Sequence, residues 1–190
     1  MKFPESIHAH QWLDGLTGLE IGGSAHNAFG LNTLNVDYTD DLTTVFKLSE
    51  IDRCGEAMAV DIVAEGTKIP VDDKSFDFVI SSHVIEHFFD PIAALKEWSR
   101  IARKYIYVIC PKRDALPSDR DLPLTPLEEI YARHTGVIPP PEIDTHEHYS
   151  RWTPNTFCHM CQAFGFFVID CLETDDKVGN GFTVILKPLD

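Results

Sequence analysis

Several short clusters in this sequence carry residue types that do chemistry at close quarters. Gly22-Gly23-Ser24-Ala25-His26-Asn27 is a run of small residues, which lets a backbone turn sharply and approach a ligand closely. Asp37 follows that turn at about the 15 to 20 residue separation at which an acid receives both hydroxyls of a ribose, and it would repel a phosphorylated one. Glu65 and Gly66 open a further segment, Glu65-Gly66-Thr67-Lys68-Ile69-Pro70, where a carboxylate can take the exocyclic amine of a purine. Ser82-His83-Val84-Ile85-Glu86-His87 and His146-Glu147-His148 supply imidazoles, whose near-neutral pKa suits a general base. The candidates for that role are His83, His87, His146 and His148, with His83, His146 and His148 the set expected to meet substrate.

Metal chemistry is not expected from the sequence. Cys158-His159-Met160-Cys161 has the spacing of half a zinc site but no second such pair, and it lies in a helical pattern that puts both thiols on one face. His146 and His148 beside Asp144 or Glu147 read as solvated side chains of an acidic loop. Tyr149 and Trp152 precede a helix start, where an aromatic is usually a staple into the core.

These residues need elements to hold them. From Thr17 onward short apolar runs alternate with helical patterns, the signature of strand-helix-strand units in a mainly parallel sheet. Strands are expected at Gly18–Gly22, Thr33–Val36, Ala57–Val63, Phe76–Ser81 and Tyr105–Cys110, the last two apolar enough for the sheet centre. Helix starts are expected at Asp90-Pro91, Thr125-Pro126 with Glu128 completing a capping box, and Thr153-Pro154. Two further runs, Phe166–Leu172 and Gly181–Lys187, flank a turn-rich stretch and read as an antiparallel hairpin. Residues 111–152, rich in proline, acids and histidines, are too long for a plain connector and read as a substrate cover within a single domain spanning 1–190. In an open parallel sheet the ligand crevice lies beyond the carboxyl ends of the strands, where all the clusters above fall.

The series Leu19-Glu20-Ile21-Gly22, Asn35-Val36-Asp37, Glu65 to Pro70, Ser75-Phe76-Asp77 and His83 to Pro91 closely resembles the class I S-adenosylmethionine-dependent methyltransferases, over about Leu19 to Pro111. The resemblance implies an α/β, Rossmann-like three-layer sandwich whose mainly parallel seven-stranded sheet ends in an antiparallel C-terminal hairpin. It implies S-adenosyl-L-methionine as cofactor. Glu20 and the Gly22, Gly23, Ser24, His26 turn would then face its methionine part, Asp37 the ribose, Glu65 and Gly66 the adenine, and Ser82 and His83 the sulfonium side. The family's turn has glycine at three alternate positions, whereas Ser24 and His26 stand at two of them here. Ala102-Arg103-Lys104 replaces the usual proline-glycine-glycine turn, and few residues precede the first strand to roof the cofactor.

The totals narrow the partners. Thirty acids against 16 bases give a net charge of −14, which repels nucleic acid and anionic lipid, and no apolar run approaches membrane-spanning length. Five cysteines are an odd number without a disulfide framework, and no signal peptide is visible, so a cytoplasmic location is expected. A small-molecule acceptor is the leading expectation, with a homodimer as a further option. The alternative is a non-catalytic binding or regulatory subunit of the same fold. A nicotinamide oxidoreductase shares the ribose acid but leaves everything after Ile69 unexplained.

Overall fold

The structure is a computed structural model and describes residues 1–143 and 147–190. Seven strands, β1 (Gly18–Ile21), β2 (Thr33–Asp37), β3 (Ile62–Val63), β4 (Phe76–Ser82), β5 (Ala102–Pro111), β6 (Phe167–Leu172) and β7 (Gly181–Lys187), form one sheet in the order β3-β2-β1-β4-β5-β7-β6. Strands β1 to β5 run parallel, and β7 is antiparallel to both of its neighbours. That is the sheet the sequence motifs implied, hairpin included.

The helices are α1 (Ile7–Leu13), α2 (Val45–Cys54), α3 (Pro91–Ile101), α4 (Leu127–His134) and α5 (Pro154–Ala163). Alternation along the central strands feeds two cores. Val79, Ile106 and Val108 face α3 and α5 through Ile92, Leu95, Trp98, Phe157 and Met160. Phe78, Ile80, Tyr107 and Ile109 face Ala9 and Leu13 of α1 on the other side. Each large side chain buried in this way stabilises the fold by about 1.5–3 kcal/mol. No helix among the described residues is long and apolar enough to cross a membrane.

Two of the expected helix starts are built as the sequence reads. Asp90 accepts from the Ile92 and Ala93 N–H groups, and Thr153 with Thr156 forms a reciprocal capping box before Pro154. Trp152, just outside that cap, packs edge-on against Phe157 at 5.2 Å as a hydrophobic staple. The third start is corrected: α4 begins at Leu127 with Pro126 at the cap and no capping side chain. The Thr125 hydroxyl instead accepts the Arg151 N–H at 3.0 Å, tying the two ends of residues 125–151 together.

Strand β3 is also shorter than expected, with residues 57–61 outside the ladder. One backbone bond remains there, from the Asp61 N–H to the Asn35 carbonyl at 2.9 Å, and side chains supply the rest: the Asp61 carboxylate accepts the Asn35 N–H at 2.8 Å, and the Asn35 amide donates to the Ala59 carbonyl at 2.8 Å. Helix α2 has no counterpart in the sequence reading. Its Val45 and Leu48 are exposed while Lys47 and Glu50 are buried, so its apolar pattern is the reverse of the one that marks a helix against a core. The short α1, capped by Ser6, was missed as well.

Candidate active site

A cavity of about 500 Å³ opens at the carboxyl ends of β1, β2, β3 and β4. At its floor, Gly22 has φ +66°, and a Cβ there would stand 2.7 Å from Val84 Cγ2, so only glycine fits this first step of the turn. The next N–H groups are held from behind. Gly23 donates to the Asn35 amide oxygen at 2.9 Å, and Ala25 donates to the buried Glu50 carboxylate, which also takes the Met58 N–H at 2.7 Å. Ser24 Oγ lies 2.5 Å from His26 Nδ1, and Phe3 donates its N–H to the His26 carbonyl at 2.8 Å while its own ring lines the cavity. Burial, and then the nearby Arg53 cation, lower the His26 pKa, which favours a neutral ring.

Asp37 ends β2 at the cavity wall with Lys47 Nζ 3.2 Å from its carboxylate, and Lys47 also stands 3.4 Å from Glu50. The ammonium is almost wholly buried, and two acids on α2 and β2 share it. Glu65 and Gly66 follow β3 in the lining. Gly66 is fixed from two sides: the Trp98 indole donates to its carbonyl at 2.9 Å, and the Phe88 ring fills the space a Cβ would need.

Ser82 closes β4 and accepts from the Asn27 amide at 3.1 Å. His83, next in the chain, has φ +56°, a strained conformation for a non-glycine residue and common where backbone is bent around a site. Its Nε2 is buried with no hydrogen-bond partner among the described residues, and burial lowers its pKa to about 4, so the ring is a neutral base at physiological pH.

The single 3-10 turn Ile85–His87 then brings Glu86 and His87 to the cavity. The Glu86 carbonyl accepts the Tyr149 and Ser150 N–H groups, which draws His148 in from the far segment. His87 Nε2 and His148 Nε2 lie 3.8 and 3.7 Å from Glu86 Oε1. On its other side His148 Nδ1 is 2.5 Å from the buried Asp119. Burial, and secondarily the charge of Asp119, push the Glu86 carboxyl up to about 8.

Nine of the residues expected at the cofactor therefore line one cavity: Gly22, Gly23, Ser24, His26, Asp37, Glu65, Gly66, Ser82 and His83. Among the expected catalytic histidines His83 and His148 line it as well, while His146 lies outside the described residues. Glu20 is placed elsewhere. It is buried beneath the turn, accepts the Thr33 hydroxyl at 3.3 Å, and is raised to about 7 by burial. Sequence reasoning missed Lys47, Glu50 and Asp119, which lie in no motif. His148 stands beside Glu86 and Asp119, which are distant from it in sequence.

The cavity's volume lies within the range of about 300–1,000 Å³ typical of small-ligand sites, and its donors and acceptors suit a nucleoside bearing an amino acid. Residues 18–110 match the model of the methyltransferase domain family. Over that stretch the chain is similar to the class I S-adenosylmethionine-dependent methyltransferases. S-adenosylmethionine is the cofactor of this class. Solved structures agree on the fold of the methyltransferase domain. A SAM-dependent methyltransferase from Aquifex aeolicus superposes with a TM-score of 0.52 at 18% identity, over 92% of this chain and 83% of that one. One from Thermotoga maritima gives 0.58 at 18% identity, over 95% and 86%. The Burkholderia thailandensis 1,6-didemethyltoxoflavin-N1-methyltransferase, with 1,6-didemethyltoxoflavin and S-adenosylhomocysteine bound, gives 0.56 at 13%, over 96% and 75%. A comparison with curated proteins finds no match.

Proposed function

We propose that this methyltransferase-fold protein transfers the methyl group of S-adenosylmethionine to a small-molecule acceptor held in the same cavity. One observation carries the reading: Gly22, Asp37, Glu65 and Ser82, from the ends of four adjacent strands, converge on one cavity. In this reading the Gly22 to His26 turn holds the amino-acid end of the cofactor, Asp37 the ribose, and Glu65 with Gly66 the adenine. When bound, the cofactor supplies a methyl group on an already activated sulfonium. The protein's task is then mostly to position the acceptor and exclude water.

His83 fits the place of a proton acceptor, because it lines the cavity and the buried Nε2 of its neutral imidazole has no hydrogen-bond partner among the described residues. Residues 111–152 serve as the substrate cover, since Pro111, Ala115, Leu116 and His148 already line the cavity. The Burkholderia relative was solved with a small molecule beside S-adenosylhomocysteine, in keeping with an acceptor of that size. The acidic surface disfavours a nucleic-acid acceptor.

A second reading, a cofactor-binding regulatory subunit without the reaction, is favoured by one observation: Asp37 already has an ion-pair partner in Lys47. Incubation of the protein with methyl-labelled cofactor and a metabolite extract separates the two. Label transferred to a small molecule, and lost in His83→Ala, supports the enzyme. Cofactor binding with no transfer to any fraction supports the regulatory subunit.

A further inference from the structure

Glu86 is almost wholly buried, and neither of its carboxylate oxygens has a hydrogen-bond partner among the described residues. A buried carboxylate left that way loses its hydration without replacement, a cost of several kcal/mol unless a proton or a cation compensates it. Two imidazoles approach the same oxygen. The His148 and His87 Nε2 atoms, at 3.7 and 3.8 Å from Oε1, stand beyond ordinary hydrogen-bond reach. They are close to the separation of roughly 3.4 Å between two ligands on a tetrahedral ion with bonds of about 2.0–2.1 Å.

The far side of each ring points the same way. His148 Nδ1 meets the Asp119 carboxylate at 2.5 Å, and His87 Nδ1 meets the Glu147 carbonyl at 3.3 Å. An acceptor at Nδ1 places the ring proton there and turns the Nε2 lone pair inward, which is how metal-bound histidines are oriented by the groups behind them. One ligand atom from each of Glu86, His87 and His148 lies within 4.8 Å of the others.

We propose that Glu86, His87 and His148 bind one divalent transition-metal ion in the wall of the cavity, with Asp119 orienting His148. Two imidazole nitrogens and one carboxylate form a donor set that selects zinc-like ions over magnesium or calcium, whose sites are built from oxygens. Three protein ligands leave a coordination position open. All three line the cavity, so that position is available to an oxygen or nitrogen of a bound molecule. On the methyl-transfer reading, on which this last step rests, the ion would hold an acceptor hydroxyl and make its proton more acidic. The acceptor class is then a molecule with a metal-binding oxygen.

The test uses the 190-residue chain stripped by a chelator and titrated with Co²⁺ under visible absorption, followed by Zn²⁺ displacement and metal analysis of the gel-filtered protein. One ion per chain is expected, with the ligand-field bands of a low-coordinate site. Glu86→Gln and His148→Ala should lose that ion, while His159→Ala, on the exposed face of α5, should keep it. Asp119→Asn, which leaves all three ligands in place, should weaken binding by about 10–100-fold. No stoichiometric uptake, or uptake unchanged in both Glu86→Gln and His148→Ala, overturns the site. Titration of the same metal-free protein with S-adenosylhomocysteine keeps the two readings apart. Cofactor binding without metal uptake overturns only the metal site, and metal uptake without cofactor binding overturns only the cofactor reading.

Discussion

Lys47 Nζ lies 3.2 Å from Asp37 Oδ2, so the acid at the end of β2 reaches the cavity with a buried cation already beside it. Lys47 also faces Glu50, the carboxylate that holds the Ala25 N–H of the glycine turn. One ammonium thus links the two parts of the wall assigned to the ribose and to the amino-acid end of the cofactor.

Removing that ammonium leaves two acids without their cation in a largely dry wall. Lys47→Met should therefore lower stability by about 3–5 kcal/mol, the range for a broken buried ion pair. Urea unfolding at neutral pH measures it, and a loss below about 1 kcal/mol would mean that water or another group solvates the acids.

Glu20 gives a test with the opposite sign. Burial raises its folded-state pKa from 4.5 to about 7. Stability from a group with a raised pKa is fully present below 4.5 and is lost as pH rises through about 7. Glu20→Gln keeps the Thr33 contact and removes the charge, so it should match the parent at pH 4 and be more stable by about 2–3 kcal/mol at pH 8. Denaturant melts at the two pH values decide this, and equal stability at both would show that the carboxylate is solvated in the fold.

Asp77 works the other way. The Thr17 N–H and hydroxyl, at 3.1 and 3.2 Å, and the Lys104 and Arg103 cations, at 3.3 and 3.4 Å, hold its carboxyl down at about 2. Its contribution is present above the ordinary value of 3.8 and fades as pH falls through about 2. Solvent screening of these exposed cations limits it to about 1 kcal/mol. Asp77→Asn should cost that much at pH 7, with the gap narrowing as pH approaches 2. A gap that persists unchanged at low pH would assign the effect to packing.

How far the sequence carried is visible in particular elements. The continuous apolar runs of β4 and β5 announced central strands, and Asp90-Pro91 and Thr153-Pro154 announced their helices, because each signal is local. Helix α2 stayed hidden because it turns Lys47 and Glu50 inward and Val45 and Leu48 outward. The ladder of β3 stopped short because the Asn35 and Asp61 side chains take hydrogen bonds that backbone groups would otherwise make.

The site divides in the same manner. Asp37, Glu65, Ser82 and His83 were legible as cavity residues because each ends or follows a strand, and strand ends define the crevice. Glu86, His87 and His148 meet only because the Glu86 carbonyl binds the backbone of Tyr149 and Ser150 across 63 and 64 residues. Spacing within either segment cannot reveal a pairing made by tertiary contact. In sequence, His148 has Glu147 as its adjacent acid, whereas in the fold its closest acidic partner among the described residues is Asp119.

The central claim is that the cavity beyond β1 to β4 binds the cofactor with Asp37 on its ribose. Calorimetric titration with S-adenosylhomocysteine tests it most directly. The account predicts one site per chain with micromolar-scale affinity, weakened about 10–100-fold in Asp37→Ala as charge-assisted hydrogen bonds worth about 1.5–3 kcal/mol are lost. No binding of either S-adenosylhomocysteine or S-adenosylmethionine, or equal affinity in Asp37→Ala, would contradict it.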